Sequence, residues 1–365
     1  MPLILSEEAR LVREGALEFF RERSPITALR RLRDTQDADG FSRPLWRQMA
    51  ELGWTGFLVD EAHGGSGFGM VGLGQVMEAA GRTLAATPLL STAVIGASAL
   101  ALANRPALLP GLLAGETLIA LAAEETPHHA PAHVATTARP NGAGWVLEGK
   151  KSFVLDGHVA NLLLVTATGA DGIGLFLVPA ATPGIHITRL SMVDSRNAAR
   201  ITLSNVAVPP DSLIGGANLL ETLLDRARAA LAAEMLGAAS EAFERTVQYL
   251  KDRKQFGVPI GSFQALKHRA AHLFGEIEIT RSAVLAALTA LDANAPDAPA
   301  LVSLAKAKAN ETLHLAANEG IQMHGGIGMT DEHEIGFFLK RARVAEPTLG
   351  TTAYHRNRYA TLMGF

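Results

Sequence analysis

Apolar residues recur at helical spacing in the first third of the chain. Ala16 and Phe20 lie one turn apart, and Leu45, Met49 and Leu52 repeat at intervals of four and three residues. Clusters of Gly, Asp and other polar residues interrupt the pattern between these stretches. This periodicity predicts a series of amphipathic helices.

The period changes in the middle of the chain to short strand-like runs. Apolar stretches are separated there by Gly, Pro, Asn and Asp, which is typical of strands joined by turns. The runs cover residues 145–147, 162–165, 175–178 and 201–208. They predict a compact β domain.

Helical spacing returns after Gly216. An apolar stripe from Leu231 to Leu250 predicts one long helix, which we expect to end next to Gly257. Further helices are predicted at about 263–291, 299–323 and 331–345. A run of long helices predicts a C-terminal four-helix bundle.

Together these patterns predict an α+β fold of three domains. The expected boundaries are residues 1–116 for an N-terminal all-helical domain, 117–216 for a middle β domain and 217–365 for the bundle. A chain of 365 residues is too long for one core, which supports the division. Hydrophobic residues make up 48% of it and charged residues 19%, so we expect large buried subunit faces.

Composition excludes several classes of function. The net charge of -3 provides no basic field for nucleic acid, and the absence of cysteine excludes disulfides and thiolate chemistry. Glu7 and Glu8 stand where a secretory signal would be basic. The most apolar stretch, 88–103, is shorter than the roughly 20 residues that a membrane span needs. We therefore expect a cytoplasmic protein that binds neither nucleic acid nor membrane.

A basic and aromatic segment follows the long helix. Arg253 would place positive charge at the negative end of the helix dipole, which is a purely structural role. Its planar set of donors could instead bind a pyrophosphate through two hydrogen bonds. Gln255 and Phe256 would then add an amide and an aromatic face to the same ligand. The sequence leaves both interpretations open.

Gly325, Gly326 and Gly328 lie between two predicted helices. Such a run serves either as a turn that needs positive φ or as a place where backbone closely approaches an anionic ligand. Gln322 adds an amide just before it. Only the occurrence of this run together with Arg253 in one sequence favours the ligand interpretation.

Three histidines, His128, His129 and His133, have the residue type of a metal site but not its spacing. Prolines interleave them, so an i, i+4 pair on a helix is excluded, and no cysteine is present to help. We interpret this segment as a solvated loop and expect no metal.

Several of these segments, taken together, resemble the acyl-CoA dehydrogenase family in order and spacing over nearly all of the chain. The resemblance implies a helical N-terminal domain, a β-barrel-like middle domain and a C-terminal four-helix bundle, in a tetramer built from dimers. The matching segments are Phe57–Gly67, Val146–Lys151, Arg253–Gly261, Gln264 and Gln322–Gly328.

The same resemblance implies an FAD cofactor and an acyl-CoA substrate. Family members remove the α proton with a carboxylate, transfer the β hydrogen to the flavin as hydride, and pass electrons to an electron-transferring flavoprotein. The residues implied to contact FAD are Arg253, Gln255, Phe256, Gln322, Gly325, Gly326, Phe153, Leu155 and Thr351.

This chain departs from the family pattern at the position of the catalytic base. Leu349 stands in place of the glutamate of the usual Tyr-Glu-Gly-Thr sequence, and Ala227 occupies the second family position, before Arg228. Loss of a positioned base costs roughly 10² to 10⁴ in rate. Glu346 lies just before Leu349 and Glu234 lies in the predicted bundle, and no geometric argument assigns either one. The catalytic residue therefore remains unassigned.

The middle domain departs from the family pattern as well. Segment 123–129 lacks the glycines of the usual Thr-Glu-Pro-Gly-x-Gly-Ser-Asp, and Phe153–Leu155 replaces Trp-Ile-Thr. Three hypotheses follow. In the first, the chain is a dehydrogenase that acts alone, as a homotetramer, through another base. In the second, it is one subunit of a two-chain dehydrogenase and forms a heterotetramer with a paralogue. Alternatively, it is a non-catalytic subunit that completes a partner's flavin site.

Overall fold

The computed structural model describes residues 4–142 and 144–365. Its chain is helical as far as residue 113, as the apolar periodicity predicts. A π-helix at Leu89–Gly96 precedes the fifth α-helix. The α-helices here are α1 (Glu7–Arg23), α2 (Ile26–Asp34), α3 (Arg43–Glu51), α4 (Gly69–Arg82), α5 (Ala97–Leu102) and α6 (Leu109–Leu113).

A mixed sheet follows, which confirms the predicted β domain. Its strands are β1 (Ile119–Ala122), β2 (Thr137–Pro140), β3 (Trp145–Leu155), β4 (Leu162–Gly169), β5 (Gly172–Pro179), β6 (Ile185–Leu190), β7 (Ala198–Val208) and β8 (Leu213–Gly216). The order is β6-β7-β3-β2-β4-β5-β8, and β1 runs parallel to β4. Leu147, Phe176 and Ile201 are among the residues of its core.

The four predicted runs lie in β3, β4, β5 and β7, and the sequence pattern does not predict the other four strands. β2 exposes three of its four residues, and most of β6 is partly or fully exposed, so neither shows a buried apolar run. β8 ends in two glycines, which resemble a turn. β6 and β8 lie at the two ends of the strand order, where strands need little apolar character.

Helices resume after residue 216 and run to residue 362. They are α7 (Ala217–Asp252), α8 (Gln264–Asp292), α9 (Ala298–His324), α10 (Ile335–Ala345) and α11 (Thr352–Leu362). The helix predicted at 331–345 begins later, at Ile335, where the ring Nδ1 of His333 accepts the backbone N–H of Ile335 at 3.2 Å. Among the described residues, no helix is both long and apolar enough to cross a membrane.

The chain forms two compact units. We call the first the bundle unit; it comprises the chain up to Arg31 together with residues 70–85 and 228–365. The second, the sheet unit, comprises residues 32–69 and 86–227. Each has its own core.

In the bundle unit, α4 and α7 touch through glycines. A Cβ on Gly81 would lie 1.9 Å from the carbonyl oxygen of Glu234, and one on Gly237 would lie 1.8 Å from that of Glu78. No larger residue fits at either position without separating the helices. The Glu78 side chain then binds Arg281 of α8 at 2.6 Å, which ties a third helix to this contact.

The sheet unit contains a fully buried ion pair. The ammonium of Lys151 donates to Glu125 Oε1 at 2.7 Å and to Thr166 Oγ1 at 2.8 Å. Burial lowers the pKa of Lys151 to about 8. Although burial opposes it, hydrogen bonds from Lys151 and Thr136 hold the pKa of Glu125 below its usual value. Glu125 also accepts the N–H of Ala135 at 2.7 Å, so the pair fixes the loop before β2.

Replacing Glu125 with Gln should destabilise the sheet unit by roughly 3–5 kcal/mol, because Lys151 would stay buried without its carboxylate. Chemical denaturation measures this free energy of unfolding. Glu148→Gln is the matched control: it removes the exposed partner of Arg139 in the same sheet and should cost less than about 1 kcal/mol. Equal losses in the two variants would contradict a structural role for the buried pair.

Candidate functional site

The end of α7 carries the first candidate segment. Helix α7 stops at Asp252, so the predicted end next to Gly257 is wrong. The reason is a hairpin, in which β9 (Lys254–Gln255) pairs with β10 (Val258–Pro259). Phe256 and Gly257 form its tip with φ of +52° and +80°, and two successive positive φ values are typical of a type I′ turn.

Arg253 connects the helix to this hairpin. Its backbone N–H donates to Tyr249 at 2.8 Å and its carbonyl accepts from Ile260 at 2.8 Å, so the main chain is fixed on both sides. Its side chain is exposed and makes no hydrogen bond or ion pair to any described residue. Phe256 is 92% exposed, and its ring is T-shaped to that of Phe263, with ring centroids 6.2 Å apart. A guanidinium and a ring face are thus both available to a ligand.

The end of α9 carries the second candidate segment. Gly325 has φ +66° and ψ −142°, which only glycine adopts readily, and its N–H donates to the carbonyl of Gln322. Gly326 has no positive φ, so the predicted turn requirement holds at Gly325 alone. No atom lies within 4 Å of a Cβ built on either glycine. The side chain of Gln322 is exposed beside them.

An aromatic stack brings the two segments to the same end of the bundle unit. The Tyr249 ring of α7 stacks on the His324 ring of α9 with centroids 4.3 Å apart, and His333 lies 4.5 Å beyond His324. Arg253 follows Tyr249 by one helical turn, and Gly325 follows His324 directly. Donors and an aromatic face therefore converge there, together with the exposed amide of Gln255 on β9.

The turn between α10 and α11 carries Leu349. Leu349 is 8% exposed and adopts φ +59°, and its carbonyl accepts from His355 Nε2 at 3.0 Å. Gly350 has φ +117°, and a Cβ there would lie 2.6 Å from the same ring nitrogen. Thr351 caps α11, with its hydroxyl accepting the N–H of Tyr354 at 3.3 Å. The turn is tightly defined and has no carboxylate at position 349.

The sequence also offers Glu234 and Glu346. Glu234 is buried, and its carboxylate accepts a hydrogen bond from Arg341 Nε at 3.0 Å. Glu346 lies in the last turn before Leu349, and its backbone carbonyl accepts from Lys306. The ion pair with Arg341 engages the Glu234 carboxylate, whereas the contact at Glu346 involves only its backbone and assigns no role to its carboxylate. Lys306 is a site residue that sequence reasoning missed, although a lysine on an alanine-rich face of α9 is a signal.

The sheet unit carries the last two predicted residues. In β3 the register with β7 shifts between Lys151 and Val154, which inserts one extra residue. Phe153 occupies this bulge with φ +53° and is 41% exposed, whereas Val154 is buried. Bulges re-aim side chains in this way. Leu155 follows at half-buried depth.

The histidines of segment 123–129 have local partners. His129 Nδ1 contacts the carboxylate of Glu124, and the His128 carbonyl accepts from the hydroxyl of Thr126 at 2.9 Å. No group of three His, Cys, Asp or Glu side chains in the described chain could hold a metal ion.

Comparison with known proteins identifies relatives over the full length. Family models for acyl-CoA dehydrogenase match residues 6–116 (N-terminal domain), 120–206 (middle domain) and 215–363 (C-terminal domain). The probable acyl-CoA dehydrogenase YngJ of Bacillus subtilis is 31% identical over 373 residues, covering 96% of this chain and 97% of the relative.

Two solved structures of two-chain assemblies are also similar. One is the ChsE4-ChsE5 complex from Mycobacterium tuberculosis, with a TM-score of 0.92, 27% identity and coverage of 100% of this chain and 99% of that chain. The other is a variant of Tcur3481-Tcur3483, described as a steroid ACAD, with a TM-score of 0.90, 35% identity and 98% coverage of both chains.

Acidification should weaken the bundle unit through the stacked histidines. Burial lowers the pKa of His324 and of His333. Because the unfolded chain then takes up protons first, the free energy of unfolding should fall as pH drops below about 6.5 through the lowered values. Asn at position 333 keeps an acceptor for the N–H of Ile335, so His333→Asn should reduce this loss.

Thermal melts at about pH 7 and about pH 5 would measure the effect. The control is His272→Asn, which replaces an exposed histidine of α8 and should leave the acid dependence as it is. If His333→Asn melted with the full wild-type pH dependence, the stacked histidines would not be its source.

Proposed function

This chain belongs to the acyl-CoA dehydrogenase family of FAD-dependent oxidoreductases, and we propose that it is the subunit without the base in a two-chain dehydrogenase. One observation carries the proposal. The turn that would present a catalytic glutamate is fully built, yet it carries Leu349, while the donors for a cofactor at the ends of α7 and α9 are complete. A paralogue would then supply the carboxylate.

The residues at the bundle end fit FAD by their chemistry. The exposed guanidinium of Arg253 suits a pyrophosphate, and the unobstructed backbone at Gly325 and Gly326 would let the same group approach closely. Gln255 and Gln322 add amide donors, in a segment where Phe256 adds a ring face. An almost fully exposed phenylalanine is costly in water, and a bound ring would cover it.

Three further residues are proposed to contact a flavin. Phe153 on its bulge offers an aromatic face, as tryptophan does in the family pattern, and Leu155 adds an apolar contact without a hydroxyl. Thr351 lies at the N-terminus of α11, where helix N–H groups favour partial negative charge. The proposed domain boundaries 1–116, 117–216 and 217–365 group these residues as the family models do.

When bound, FAD supplies the hydride acceptor. This chain's residues bind and orient it. Leucine at position 349 cannot accept a proton, and Glu234 is paired with Arg341. The α proton of the acyl-CoA would therefore pass to a carboxylate of the partner chain. The similarity to ChsE4-ChsE5 and Tcur3481-Tcur3483 supports a heteromer with a paralogue.

The reaction also needs an electron acceptor. We propose an electron-transferring flavoprotein, as the resemblance implies. We also propose that the protein acts in the cytoplasm. The alternative function is a non-catalytic subunit that only completes a partner's flavin site. It differs in one observable: such a chain would never contribute to reduction of flavin by an acyl-CoA, even with a carboxylate restored.

Replacing Arg253 with Ala should raise the FAD dissociation constant roughly 10- to 100-fold, because a charge-assisted hydrogen bond is worth about 1.5–3 kcal/mol. Flavin absorbance after dialysis and titration of the apoprotein, alone and with its paralogue, measure the constant. Lys251→Ala removes an exposed cation from the last turn of α7 and is the matched control. Unchanged FAD content in the Arg253 variant would refute the assigned contact.

Replacing Leu349 with Glu should give the chain a base, since the backbone of the turn is already defined. We expect anaerobic acyl-CoA to bleach the oxidised flavin band roughly 10² to 10⁴ times faster in Leu349→Glu than in wild type. Leu349→Gln is the uncharged control and should stay slow.

The wild-type chain alone provides the contrary outcome. Rapid bleaching of wild type by any acyl-CoA of a panel would show an intrinsic base and contradict the two-chain proposal. Slow bleaching in Leu349→Glu, both alone and with a co-expressed paralogue, would favour the non-catalytic alternative.

A further inference from the structure

Lys306 is a completely buried cation that the proposed chemistry does not use. It lies on α9 at 0% exposure, and its ammonium donates to four oxygen atoms. These are Asn310 Oδ1 at 2.6 Å and the carbonyls of Ala345 at 3.1 Å, Glu346 at 3.3 Å and Gly350 at 3.2 Å. Three of the four acceptors belong to the backbone that leads into and out of Leu349.

Asn310 completes the arrangement one turn further along α9. Its amide donates to the carbonyl of Gly350 at 3.3 Å, while its oxygen accepts from Lys306. Burial, with Arg341 and Arg228 nearby, lowers the pKa of Lys306 well below its usual value. The four oxygen acceptors oppose this, because only an ammonium offers three N–H donors to them.

Hydrogen bonds to the backbone hold the turn on both sides of position 349. Lys306 and Asn310 bind carbonyls on either side of Leu349, and His355 binds the carbonyl of Leu349 itself. None of these hydrogen bonds involves the side chain at position 349. This hydrogen-bond network therefore does not require a carboxylate at that position.

We propose that Lys306 and Asn310 are positioning residues that fix the 345–351 turn, and so set where residue 349 and Thr351 are presented. The functional part of this inference rests on the proposed function, because it treats that turn as part of the dehydrogenase site. The structural part does not. It explains how a leucine came to occupy the position without loss of the surrounding geometry.

Hydrogen exchange on the full chain tests the structural part without any cofactor. In Lys306→Met we expect amides of the peptide covering 346–355 to exchange at least about tenfold faster, while those of α8 stay as in wild type. Lys308→Met is the matched control: it lies two residues along α9 and pairs with Glu276 of α8 instead. It should leave the turn protected.

Kinetics test the functional part. In a Leu349→Glu background, Lys306→Met should lower kcat for flavin reduction by about tenfold or more and leave the KM for acyl-CoA unchanged, because misplacing the base affects only the transition state. If Lys306→Met does not fold, Asn310→Ala serves in both experiments with a smaller effect in the same direction.

The outcomes separate the two claims. Exchange that is unchanged at 346–355, or faster throughout the bundle unit, would overturn the positioning role whatever the protein catalyses. A protected turn in Lys308→Met with a loosened turn in Lys306→Met would support it, even if the Leu349→Glu background proved inactive and refuted only the proposed function.

Discussion

Backbone contact between α4 and α7 is the constraint on which the bundle unit depends. Two glycines, Gly81 and Gly237, let each helix approach the carbonyls of the other, and Glu78 at the same crossing binds Arg281 of α8. Helices at this distance cannot slide by a fraction of a turn without a clash of main-chain atoms. The long helix α7 is thereby fixed along its axis. This contact also fixes the position of the end of α7, which Arg253 follows. The stacking of Tyr249 on His324 fixes the end of α9 relative to the end of α7.

Buried cations provide the second level of order. Lys151 in the sheet unit and Lys306 in the bundle unit are both at 0% exposure, and each binds acceptors from more than one segment of the chain. The two differ in kind. Lys151 has a carboxylate and anchors the loop before β2, whereas three of the four acceptors of Lys306 are main-chain carbonyls. A lysine bound to carbonyls restrains a turn without specifying its side chains, so a functional residue there can change while the scaffold persists.

The sequence predicts the parts of this fold that repeat. α8 and α9 lie within a residue of their expected limits, because their buried faces recur at helical spacing over many turns. β2, β6 and β8 escape prediction because they lack a buried apolar run. The hairpin that ends α7 at Asp252 escapes it because its two-residue strands are too short to show a pattern. At the site, residue types alone left Arg253 and Gly325 open between a structural role and a ligand contact, and the family resemblance favoured the ligand. The network of Lys306 and Asn310 could not be foreseen, since it depends on a turn 35 or more residues away that brings carbonyls to their side chains.

The hairpin after α7 has a consequence for the living cell. Its tip places Phe256 in water at 92% exposure. If a cofactor shared with a second polypeptide covers that ring, a copy without its partner exposes an apolar surface. Chaperones or proteases would recognise such a surface. Surplus copies would then be removed rather than stored. The amount of the functional assembly would then equal that of the scarcer polypeptide. Selection would favour balanced synthesis of the two, such as translation from one shared messenger RNA.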